Sequence, residues 1–147
     1  MLINRVWAMP NKNTFTIKPI RALIDSRACN WVDPFPDPYR MDAIEYLKTF
    51  ADNSCEGVLF DPPYSPRQLK ECYNNQGMAL HDTKLSVWKG WREEIARVVK
   101  PGGIVISFGW STNGIGIKRG FKIEEILIVA HGSNHNDTLC TVERKCQ

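Results

Sequence analysis

Two spacings of apolar residues alternate along the chain. From Asp82 to Lys100 the positions Leu85, Trp88, Trp91, Ile95 and Val98 recur every three or four residues, which predicts the longest helix, stopped by Pro101, Gly102 and Gly103. DAIEYLKTFAD predicts a second helix, with Asp42 as its N-cap and Ala43, Leu47 and Phe50 on one face. IKPIRALID, from Ile17, predicts a short helix with Pro19 at its start. Pro66 opens another, PRQLKECY, because proline suits a first helical turn. Between these lie shorter apolar runs. CNWVDPF, from Cys29, reads as a strand ending in a turn. GVLF, Gly57 to Phe60, is too short and too apolar for a surface element and reads as a central parallel strand covered on both faces. GGIVISFG predicts the next buried strand and leads into the glycine-rich loop WSTNGIGIKRG. KIEEILIVA and TLCTVE, joined by HGSNHND, predict an antiparallel hairpin. The alternation implies an α/β fold: an open, mostly parallel sheet with a C-terminal antiparallel hairpin, in which ligands bind at the carboxyl ends of the strands.

Composition bounds this picture without redirecting it. The 147 residues suit one domain spanning 1–147, and 43% hydrophobic with 24% charged residues argues against disorder. A net charge of +3 permits an acidic partner such as nucleic acid without demanding one. No apolar run approaches the roughly 18 residues that span a bilayer, and MLINRVWAMPNK lacks the apolar core of a signal peptide, so a cytoplasmic protein away from membranes is expected. Five cysteines share no metal-type spacing and read as reduced thiols. His131 and His135 lie four apart, but in a Gly/Ser/Asn-rich turn, so no metal site is expected.

The chemistry concentrates in GVLFDPPYSPRQL, where a buried strand ends on an acid followed by two prolines and a tyrosine. Asp61, Pro62, Pro63 and Tyr64 in this setting resemble the motif of the amino-group methyltransferases that use S-adenosylmethionine, in the form typical of DNA adenine methylases. TIKPI with VDPF, ahead of the motif, and VVKPGGIVISFG after it resemble flanking motifs of the same family. The resemblance implies a Rossmann-like methyltransferase fold, S-adenosylmethionine as cofactor and adenine N6 in DNA as the methyl acceptor. It places Lys18, Pro19, Asp33, Pro34, Phe35 and Asp42 around the donor. The residue types suit the task. An exocyclic amine conjugated to a ring is a poor nucleophile. The Asp61 carboxylate and the Pro62 carbonyl can accept its two N–H bonds and localise its lone pair. The prolines hold these acceptors rigid. Tyr64 offers a face on which a flipped base stacks, worth about 1–3 kcal/mol.

The chain also departs from that pattern. In the family, VDPF continues into a glycine-bearing turn, and some way beyond an acid grips the donor's ribose. Here Pro36, Asp37 and Pro38 follow, and Asp42 comes too soon for a further helix and strand. Three expectations arise from this shortening. S-adenosylmethionine binds weakly. The VDPF strand keeps an apolar edge to be covered by the N-terminal NRVWAM segment or by a second subunit. A homodimer then has Trp7 or Trp31 in or near its contact. Lys118 and Arg119 are candidates for phosphate contact on the rim near the motif. YNNQGMALHDT, 73–83, fits a lid or a short target-reading loop. Trp88 and Trp91 fit the core better than a stacking platform. Two other functions stay open: a catalytically inactive remnant acting in binding or interaction, and an amine methyltransferase acting on RNA or a protein amide.

Overall fold

The structure is a computed structural model that describes residues 1–35, 41–63 and 86–147. In chain order the elements are β1 (Leu2–Trp7), α1 (Lys18–Asp25), β2 (Trp31–Val32), α2 (Ala43–Lys48), β3 (Cys55–Phe60), α3 (Ser86–Val98), β4 (Val99–Gly109), β5 (Phe121–Ala130) and β6 (Thr138–Lys145). The six strands form one sheet in the order β1-β5-β6-β4-β3-β2. β1 pairs parallel with β5, and β2, β3 and β4 pair parallel with one another. β6 runs antiparallel to both β5 and β4, so the C-terminal hairpin is present and its second strand is inserted between its first and the parallel half. The fold is thus the mostly parallel α/β sheet with a C-terminal antiparallel hairpin that the apolar spacing predicts.

Helices cover both faces, as a strand apolar on both sides requires. Side chains alternate across β3 and β4. Val58, Phe60 and Val105 join Leu47, Trp91, Ile95 and Val98 in one core, beneath α2 and α3. Leu59, Ile106 and Phe108 join Ile20, Leu23 and Ile24 of α1 in the other. α1 has Pro19 in its first turn, and α2 is capped by Asp42, whose Oδ2 accepts the N–H groups of Ile44 at 3.0 Å and Glu45 at 3.2 Å.

Several boundaries differ from the sequence-based ones. α3 passes into β4 without a break, and β4 pairs with β3 from Val99, ahead of the predicted GGIVISFG. Only Trp31 and Val32 of CNWVDPF enter the ladder. The N-terminal segment is a strand, yet at the far edge of the sheet from β2. It zips onto β5, and the pairing continues through Ala8 N–H to the Ala130 carbonyl, while the His131 ring bridges the Ala8 carbonyl and the Thr138 hydroxyl. It therefore does not cover β2, which remains the sheet's other edge among the described residues. The PRQLKECY helix, the 73–83 segment, Tyr64 and Pro36, Asp37 and Pro38 lie outside the described residues.

Candidate active site

Parallel strands leave Asp61, Pro62 and Pro63 at the carboxyl end of β3, an interior strand of the sheet. Asp61 is half-buried and both prolines are buried. Strand alternation carries the Asp61 side chain onto the α1 face and Pro62 onto the α3 face. The charge of Asp61 accordingly reaches Cys140, a member of the α1-side core. Burial first, and Asp61 second, push that thiol up to about 12.

The same end of the sheet gathers most of the other expected residues. Phe15, just ahead of α1, packs edge-on against Phe108 at 5.3 Å, and Arg27, just past α1, pairs with Glu125 at 3.0 Å near the opposite end. α1 therefore starts, with Lys18 and Pro19, on the face and at the end occupied by Asp61. Lys18 is exposed. Asp33 and Pro34 follow β2 at the same level. Asp33 Oδ1 accepts the Phe35 N–H at 3.0 Å, and burial holds its carboxyl above the ordinary range despite that bond. Phe35 turns into the α3-side core, 4.8 Å from Trp91 and 6.1 Å from Phe60 between ring centroids. Asp42 also lies at this end, with one carboxylate oxygen engaged in capping α2. Lys118 and Arg119 do not join them. They precede β5, whose first residue Phe121 pairs with Lys145 at the amino end of the parallel strands, away from the rim beside Asp61.

The α3 face holds what the sequence reading missed. A cavity of about 390 Å³ opens beside Pro62, with Phe60, Trp88, Arg92, Ser107, Phe108, Trp110, Asn113 and Gly114 in its wall. Trp88 is both core and wall, whereas Trp91 is wholly core. The far wall is the glycine-rich loop, held down by Glu143. This carboxylate, 1% exposed, accepts the Ile115 N–H on Oε2 at 2.7 Å and the Gly116 N–H on Oε1 at 3.0 Å. Gly114 has φ +55°, and a Cβ there would land on the Glu143 carboxylate. A glutamate in a run as apolar as TLCTVE was the available signal for a buried role.

No family model matches the chain, and no curated protein does. Among solved structures, a candidate DNA modification methylase from Thermus thermophilus, complexed with S-adenosyl-L-methionine, superposes with a TM-score of 0.49 and 19% identity, over 72% of this chain and 51% of that one. An S-adenosylmethionine-dependent methyltransferase from Methanosarcina mazei gives 0.41 and 10%, over 98% and 82%. This chain spans about half the length of the Thermus protein. Likeness at these scores carries no conclusion about what this chain does.

Proposed function

We propose that the chain is an S-adenosylmethionine-dependent methyltransferase acting on an exocyclic amine, with adenine N6 in DNA as the acceptor. The observation that carries this reading is the placement of Asp61, Pro62 and Pro63 at the carboxyl end of an interior parallel strand, with Lys18, Pro19 and Asp33 around the same end. When bound, the donor supplies an electrophilic methyl group. The chain's own part is to accept. The Asp61 carboxylate and the Pro62 carbonyl take hydrogen bonds from the amine's two N–H bonds, so that its lone pair leaves the ring and points outward. Two buried prolines fix these acceptors, so little reorganisation accompanies reaction. Tyr64 is the stacking face for the extruded base.

The donor side fits in part. Lys18, Pro19, Asp33, Pro34 and Asp42 stand at the right end, but one Asp42 oxygen caps α2 and Phe35 is packed against Trp91. No strand lies beyond β2 among the described residues to carry a ribose-gripping acid. That edge favours a second reading, a descendant that keeps the fold and binds without turnover. The test is transfer of labelled methyl from S-adenosylmethionine to DNA. Wild-type protein should label DNA, and Asp61→Ala should lose turnover while its circular dichroism and melting stay intact. Label in RNA or a protein amide would move the acceptor, and activity retained by Asp61→Ala would overturn the mechanism.

A further inference from the structure

The α3-face cavity contains two polar groups that the fold leaves unanswered. Arg92 Nε and Ser107 Oγ are buried and have no hydrogen-bond partner among the described residues, and both residues line the cavity. Ser107 is only 8% exposed. Buried donors without acceptors are uncommon because each costs about 1–3 kcal/mol. A binding site explains them where a packing defect does not, because the remaining wall is aromatic: Phe60 and Trp88 from the core and Trp110, 48% exposed, at the mouth. Flat apolar walls with two inward donors match a planar heteroaromatic ring whose edge carries acceptors. The volume lies within the range of small-molecule sites, about 300–1,000 Å³.

The position of the cavity says which ring. Pro62 separates it from the Asp61 side chain, which lies on the other face of the sheet. A ring seated here therefore is not the one that presents its amine to Asp61. We infer that the cavity is a second subsite, which holds a nucleobase next to the reacting one, with Arg92 and Ser107 donating to its acceptor edge and setting the sequence context of the substrate. The inference rests on the proposed nucleic-acid substrate but not on methyl transfer. Arg92 stays cationic, and Glu143, close enough to act on it, stabilises that charge while burial and Arg119 oppose it.

Proton–nitrogen correlation NMR of the full chain, without donor, tests this through the indole N–H signals of Trp88 and Trp110. Adenine and cytosine should shift both signals saturably. Ser107→Ala and Arg92→Met should each weaken that binding at least about fivefold, with Arg92→Lys partly restoring it. Asp61→Ala, which ends methyl transfer, should leave it within about twofold. Aniline, which has the amine but no ring acceptor, should bind more weakly and not respond to Ser107→Ala. Absence of base binding, equal binding of aniline, or displacement of the base by inorganic phosphate would overturn the inference. Base binding without any methylation would instead sink the proposed activity alone. Ser107→Ala removes one oxygen and serves if Arg92→Met fails to fold.

Discussion

Glu143 shows how one side chain sets the geometry of a site it does not enter. Its two oxygens each answer one backbone N–H of the loop that walls the cavity. Glu143→Gln presents an N–H₂ to one of those N–H groups, so one bond becomes a clash of donors. The expected loss is about 1–3 kcal/mol, read by denaturant unfolding. The pH dependence follows from the same contacts. Burial raises the Glu143 carboxyl above its ordinary value, and the two N–H groups and Arg92 only partly reverse this. A raised pKa means the folded chain holds the proton more tightly than the unfolded one. The contribution to stability is then full below the ordinary glutamate value and falls as pH rises through the raised one. Asp33 acts in the same direction. Melting wild type and Glu143→Gln from acidic to neutral pH should give a flatter profile for the variant, and equal slopes would contradict this.

Among the elements, α3 and β2 carry the main consequences. α3 presses Trp91, 0% exposed, between Phe35 and Trp88 at 4.8 and 5.1 Å, so one ring links the β2 turn, the α3 face and the cavity wall. Trp91→Ala should cost about 3–5 kcal/mol in unfolding free energy, because such a hole cannot collapse against a sheet. A loss below about 1 kcal/mol would mean the ring is not a keystone. β2 has two residues in the ladder and nothing beyond it among the described residues. The glycine turn and ribose acid of the resembling family have no place on such an edge. S-adenosylmethionine is therefore expected to bind at about 0.1 mM or weaker, which is about 5.5 kcal/mol or less. Micromolar binding by calorimetry would show that other residues replace those contacts.

At the scale of the whole molecule the open question is what meets the sheet's two edges. Trp31 at the β2 edge is half-buried in its own chain. β1 is different: it offers six residues of free edge, with Leu2 at 54%, Ile3 at 56% and Trp7 at 63% exposure. Proteins seldom leave a long apolar edge strand open. A homodimer is expected, two-fold symmetric and with Trp7 rather than Trp31 in the contact, because the exposed apolar surface has moved to the β1 side. Light scattering at micromolar concentration should report about twice the 16.8 kDa chain mass, and Trp7→Lys should halve it. A monomer at that concentration would end the expectation.

Local pattern was enough for the features whose cause is local. The 3.6-residue spacing around Trp91, the cap at Asp42, the apolar GVLF run and the acid-proline-proline step are each set by neighbours in sequence, and the structure places them as read. Strand order is not local. Nothing in LINRVW distinguishes the edge at β2 from the edge at β5, and only the competition between partners sends it to β5. Lys118 and Arg119 looked close to Asp61 because they follow the same strand, yet the glycine-rich loop crosses the sheet before reaching them. The cavity is the clearest case. Arg92, Ser107 and Glu143 are scattered over three elements as ordinary polar residues, and their shared burial arises only when α3 and β6 pack against the two sides of one loop.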